Sequence, residues 1–508
     1  MKTFRISNKT YSYQDLAPFI SSAVKIIIDK DSRNNIKDSY SRLKNILSSG
    51  QTVYGVNTGF GRLSQIKINE SDQIKLQKNL VRSHSAGLGT HIDVGTVRVI
   101  ILLKVIGYVK GYSGIHPDTI KSLQDFLNND IIPILPSKGS VGASGDLAPL
   151  AHLASALIGE GKVLYNNKIS SSDRVLKKLN IRKLILHEKD GISLVNGTQF
   201  STALAIKCLN NCDLILQTAD AVSALSVENS LSSRNTFHSS IHRLKKHKGQ
   251  ILSAKNIWKM TSNSEVVKSH KNCDVIQDPY SFRCIPHIHG ASRDIIDKLK
   301  DIINNEINSV SDNPLILKNG KVEYSGHFHA EHVAQTLDSI AVAIAEIGSI
   351  SERRIHFFMK GASGKLPLFL AKNPGLESGY MIAHVTATAL ASENKTLSHP
   401  ASVDSMPTSG GQEDLVSMAP WSSEKLLKIQ ENVINILAIE TLVSSAAFLL
   451  FHSKMSPGEG TKEIIDKVKH VVQYLKGDRE LSKEINELAD LIKSGELIEK
   501  LKHRNILE

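Results

Sequence analysis

Apolar residues recur at spacings of three and four along most of this 508-residue chain, and that period predicts helices. The pattern places helices over residues 14–29, 36–47, 72–83, 94–109 and 150–158, and from Asn196-Gly197-Thr198-Gln199 to about Val227. Farther on, Ala330, Val333, Ala334, Leu337, Ile340, Ala341 and Ile344 form one unbroken stripe. Leu426, Ile429, Val433, Ile436 and Leu437 form another, with Ser422 as its N-cap. Weak alternation from Thr3 to Tyr13, around Ser7-Asn8-Lys9, predicts a small hairpin. The segment 169–190 is basic and irregular, as a surface connection would be, and glycine and proline clusters at 54–61, 361–367, 373–375 and 407–411 read as loops. The fold class expected is mainly α: a long-helix bundle over 201–508 and a smaller, loop-rich N-terminal part over 1–200, together one continuous unit.

Composition narrows the class further. A hydrophobic share of 41% with 22% charged residues is that of a soluble globular protein, and aromatics at 5% favour closely packed helices over a β-sandwich. The net charge of +12 is concentrated between Arg234 and Lys271. Without interleaved aromatics or a reader motif, that run reads as a solvated face and not as a nucleic-acid site. A basic, non-enzymatic helical binding protein is the alternative of another class. The four cysteines, Cys208, Cys212, Cys273 and Cys284, contain no CxxC pair, which points to inert thiols in a reducing compartment and away from zinc. No signal-peptide pattern opens the chain, and no apolar run approaches ~18 residues without a charge, so the expectation is a cytoplasmic protein with no membrane partner.

One loop carries unusual chemical potential. Gly142-Ala143-Ser144-Gly145-Asp146-Leu147-Ala148-Pro149-Leu150 follows a proline-broken stretch and leads into an apolar helix. If the chain bends tightly there, the Gly145 amide nitrogen can attack the Ala143 carbonyl carbon, and loss of one water closes a five-membered ring. Loss of a second water, from Ser144, leaves an exocyclic methylidene. Gly145 suits the attack because it lacks Cβ.

The same nine residues resemble the prosthetic-group motif of the aromatic amino-acid ammonia-lyases, which carry a 4-methylidene-imidazol-5-one made from Ala-Ser-Gly. Other family-like blocks follow in order: YGVNTGFG at 54–61, NLVRSHSAGLG at 79–89, NGTQ at 196–199, QDPYSFRC at 277–284 and SVSDNPL at 309–315. EIGSISERRI at 346–355, SENKTLSHPASVD at 392–404 and QEDLVSM at 412–418 complete the set. The histidine-specific branch of the family matches best, which implies elimination of ammonia from L-histidine to give trans-urocanate, without oxidation and without a metal. An electrophile that bonds the substrate, through its amine or through its ring, eases removal of a scarcely acidic β-hydrogen and a poor leaving group. The same resemblance implies that Ala143-Ser144-Gly145 cyclises and that Tyr54 is the catalytic base. A phenol ordinarily keeps its proton to about pH 10, so that role needs a positive or hydrogen-bonding pocket. It further implies that Asn196 and Gln277 hold the prosthetic group and substrate, that Tyr280 acts in catalysis, and that Arg283 captures the carboxylate. By the same resemblance His84, beside Ser83, and Glu413 meet the imidazole, Glu413 also moving a proton, while Phe328 packs near the ring. A homotetramer with active sites shared between subunits is implied too.

The chain departs from the family pattern at several places. Ser325-Gly326-His327-Phe328-His329 stands where Gly-Gly-Asn-Phe-His is common, His287 where a Gln usually follows Pro286, and Glu331-His332 where an acid-proline pair is usual. Leu415 occupies a position where histidine lyases often carry His. These changes bear on ring selectivity and leave open a tyrosine or phenylalanine lyase, or an aminomutase. His287, His289, His327, His329 and His332 lie in separate segments without a matching carboxylate pattern, so they are not read as metal ligands.

Overall fold

A computed structural model describes residues 3–270, 276–473 and 477–508. It is mainly α, as the periodicity predicts. Cys273 lies outside the described residues; Cys208 and Cys212 are buried and Cys284 is half-buried. The chain forms two compact units that interleave in sequence. The first comprises residues 1–210, 300–338 and 400–424, and the second 211–299, 339–399 and 425–508.

The first unit contains helices Gln73–His84, Val94–Tyr108, Leu147–Leu157 and Asp190–Val195, of which the first and the last two pack against one another. Val94–Tyr108 starts where the Asp93 carboxylate accepts the Thr96 N–H at 3.0 Å, a side-chain cap for an orphan donor. Its residues are buried nearly all round, so it is a core helix and not a surface one. Short sheets fill the gaps. The hairpin expected over residues 3–13 does not form: Thr3–Ile6 is a strand, but it pairs in parallel with Lys25–Ile28, inside the segment expected to be helical. The stretch from residue 169 is also more ordered than expected, with strand Lys168–Ser171 pairing against Lys162–Tyr165 and helix Ser172–Lys178 following.

The second unit holds the greater part of four long helices, Gln199–Asn229, Ile285–Ile307, Glu331–Met359 and Ala419–Ala447. Its interior contains charge as well as Leu, Ile and Ala. Arg354 forks onto the Glu440 carboxylate at 2.5 and 2.9 Å, both side chains without solvent exposure. Asp220 accepts from His289, Arg293 and Asn256 at 2.7–2.9 Å. Helices Glu331–Met359 and the stretch from Ala419 to His452 are long and apolar enough to cross a membrane by composition, yet 72% and 83% of their most apolar windows are buried within the protein. The last of these starts earlier than expected: it begins at Ala419, so Ser422 sits buried in the first turn and is not the N-cap.

Candidate active site

A cavity of about 1060 Å³ opens in the first unit, with Ala143 and Ser144 in its wall. The loop around them is built by close backbone approach. Gly142 and Gly145 have φ of +66° and +92°, where a side chain is strained. A Cβ on Gly145 would lie 2.2 Å from the Gly197 nitrogen, and one on Gly142 would lie 2.3 Å from the Ser417 hydroxyl. The Asp146 N–H donates to the Gly197 carbonyl at 2.9 Å, while the Gly142 carbonyl accepts from Ser417 at 2.8 Å and from the Ala330 N–H at 3.2 Å. The turn is therefore clamped from both sides. These close approaches leave no room for a side chain at the third position of Ala143-Ser144-Gly145. Gly145→Ala is accordingly expected to prevent ring closure and to destabilise the loop by about 1–3 kcal/mol from strain alone, read by intact mass and thermal denaturation.

Asp146 is buried, and its carboxylate accepts from the Ser140 hydroxyl at 3.0 Å and from the Ser201 N–H and hydroxyl at 2.8 Å each. Burial pushes this carboxyl above its ordinary range against those bonds and the nearby charge of Lys104. Helix Leu147–Leu157 starts directly after it, two residues before the Pro149-Leu150 start read from the sequence, so its N-terminal partial positive charge begins beside the loop.

Other walls bring further groups in. Tyr54 is half-buried, its phenol oxygen accepting the Gly61 N–H at 2.9 Å and its ring edge-on to Phe60. The Ser144 hydroxyl donates to Glu413, whose other carboxylate oxygen accepts from Thr408 at 2.5 Å. Burial raises the Glu413 carboxyl, but the bonds from Ser144, Thr408 and Ser409, helped by His84 when that ring is protonated, outweigh it and hold it below the ordinary range. His84 shares a 3.0 Å hydrogen bond with Ser83 through Nδ1. Its pKa is lowered, mainly by burial and against the pull of Glu413, so its ring is neutral near pH 7. Asn196 donates from Nδ2 to the Asn313 carbonyl at 2.7 Å. Phe328, His329, Tyr324 and Leu415 complete the mouth, where His329 Nε2 lies 3.2 Å from the Leu415 carbonyl.

Residues 11–470 match the aromatic amino acid lyase family. The chain belongs to that family. A histidine ammonia-lyase of Vibrio cholerae is 43% identical over 95% of this chain and 94% of its own. Among solved structures, histidine ammonia-lyase from Trypanosoma cruzi superposes with a TM-score of 0.89 at 35% identity, covering 99% of this chain and 95% of the other. Tyrosine aminomutase from Streptomyces globisporus gives 0.92 at 30%, covering 99% and 98%. The protein is thus a carbon–nitrogen lyase by family.

Of the residues singled out in the lyase sequence, Tyr54, His84, Ala143, Ser144, Asn196, Phe328 and Glu413 line this one cavity, and Gly145 is clamped directly behind it. Gln277, Tyr280 and Arg283 belong to the second unit and are not among the lining residues. There the single helical turn Tyr280–Arg283 places the Arg283 guanidinium carbon 4.6 Å from the Tyr280 ring centroid, and Tyr280 is 69% exposed. Two supporting residues were not singled out from the sequence. Gln77 is buried and bridges the two sides of the cavity wall, donating to the Gly55 carbonyl at 2.8 Å and accepting the Ile192 N–H at 2.9 Å. Asn313 also accepts the Ser325 N–H at 2.9 Å. Their signals were present, as a Gln on an apolar helical face and an Asn within the SVSDNPL block. Among the described residues His116, Asp118 and His187 bring possible ligand atoms within 4.8 Å. His116 Nδ1 there accepts the Asp118 N–H at 3.1 Å as a helix cap, and none of the three lines the cavity.

Proposed function

We propose that the protein is a histidine ammonia-lyase, converting L-histidine to trans-urocanate and ammonia without a metal. The observation that carries this reading is the convergence, in one cavity, of the clamped Ala143-Ser144-Gly145 turn with Tyr54, Asn196, His84 and Glu413. The methylidene-imidazolone made from that turn supplies the electrophile that activates the substrate. Tyr54 is the base that removes the β-proton, its oxygen held by the Gly61 N–H. The Asn196 side-chain amide reaches the substrate and the ring, while neutral His84 and ionised Glu413 offer a donor and an acceptor to the two imidazole nitrogens. The N-terminus of helix Leu147–Leu157 favours negative charge developing at the loop.

In this reading the protein works in the cytoplasm as a homotetramer, and Gln277, Tyr280 and Arg283 complete a site of another copy, Arg283 gripping the substrate carboxylate. Incubation of the purified protein with histidine, tyrosine and phenylalanine separately is the test. Urocanate and ammonia from histidine alone are expected. Coumarate or cinnamate without urocanate would assign a different ring, and a β-amino acid would assign mutase chemistry, which the likeness to a tyrosine aminomutase makes worth measuring.

A further inference from the structure

The cavity is lined in part by a helix end that is held from beneath by buried charge. Lys104 lies in the apolar core helix Val94–Tyr108 with 1% exposure, and its ammonium donates to two backbone carbonyls, those of Ser193 at 2.9 Å and of Asn196. Tyr108, one turn on, donates to the same Ser193 carbonyl at 2.7 Å. Both carbonyls belong to the C-terminal end of helix Asp190–Val195, where partial negative charge collects and a cation is favourable. From the other side, Lys189 donates to the Ser193 hydroxyl at 2.8 Å and pairs with Asp312 at 3.0 Å, and Asp312 accepts the Asn313 N–H at 2.8 Å. Asn313 in turn accepts the Asn196 amide.

We propose that Lys104 is a positioning residue for ammonia elimination: through the Asn196 carbonyl it fixes where the Asn196 amide enters the cavity. The inference rests on the lyase reading, in which Asn196 meets the substrate and the ring. A neutral apolar side chain would satisfy an ordinary core helix, and a buried ammonium is costly unless its bonds are well made. Burial does depress Lys104, to about 7, against the charges of Asp312 and Asp146. A lysine kept there at that cost is not itself in the cavity wall; its partners are the backbone on which Asn196 is mounted. The asparagine needs such a mount. It is the residue where the helix ends, and Gly197 next to it, with φ of +108°, is the backbone against which Gly145 packs.

A double-mutant cycle tests this. Wild-type protein is first assayed for ammonia release with the three aromatic amino acids; release from none would sink the function reading itself, independently of Lys104. With the amino acid the wild type does consume, Lys104→Met is expected to keep the intact-mass deficit of two waters, to lower kcat about tenfold or more, and to leave KM within about threefold. In an Asn196→Ala background the same change should cost less than about threefold, because the residue it acts through is gone. Full multiplication of the two losses would overturn the proposal, as would loss of ring formation in Lys104→Met, which would place the lysine's effect at the loop through Asp146. If Lys104→Met does not fold, Tyr108→Phe takes its place. It removes the second donor to Ser193, and a few-fold kcat loss that disappears in the Asn196→Ala background is expected. A Tyr108→Phe enzyme equal to wild type, or one whose loss multiplies with that of Asn196→Ala, would also overturn it.

Discussion

Replacing Ser144 with alanine is expected to give a folded protein that releases no measurable ammonia. The hydroxyl is the oxygen that leaves in the second dehydration, and alanine offers none, so the exocyclic methylidene cannot form. The structural cost is small by comparison. The side chain is half-buried and donates one hydrogen bond, to Glu413, which keeps its partner Thr408. Losing it should cost about 1 kcal/mol of stability. A thermal midpoint close to wild type, together with a mass no more than one water below that of the variant's own sequence, would therefore separate chemical from structural failure. Normal turnover by Ser144→Ala would show that the loop is not the source of the electrophile.

The second large effect is at Tyr54. Tyr54→Phe removes one oxygen from a ring that stays packed edge-on against Phe60. The Gly61 N–H loses its acceptor, but it lies in a half-buried loop open to the cavity, where water can replace the phenol. Fold and substrate affinity should therefore change little, while kcat falls roughly 10²–10⁴-fold, the range for loss of a positioned base. Steady-state kinetics with a KM within a few-fold of wild type would support that role. A comparable rise in KM with unchanged kcat would instead make Tyr54 a binding residue.

Much of this site can be read from sequence because its residues sit in loops punctuated by glycine, where a helical period offers no competing explanation. The 142–150 turn and the 54–61 loop are of that kind. The residues beneath them were harder to see for the opposite reason. Lys104 and Gln77 fall within periodic helical segments, and a lone polar residue in such a run is usually a surface position; only the packing shows both to be buried. Gln277, Tyr280 and Arg283 are legible as a motif, but proximity in a fold is not a property of spacing, and they belong to the second unit.

The fold errors have local causes. Thr3–Ile6 finds its partner about twenty residues away, beyond the reach of a hairpin reading. That partner, Lys25-Ile26-Ile27-Ile28, carries three β-branched residues in a row, a strand signal that was absorbed into an apparently helical stretch. At residue 419 the helix start is marked by Pro420 in the first turn, a better signal than the polar Ser422.

The central claim is that this chain builds its own electrophile from Ala143-Ser144-Gly145. The intact mass of the purified wild-type protein, with the peptide spanning residues 143–145 sequenced by fragmentation, tests it most directly. The account predicts a mass two waters below that of the printed sequence, with the whole deficit in that peptide. A mass equal to the sequence, or a deficit located elsewhere, in a preparation that still deaminates histidine would contradict it.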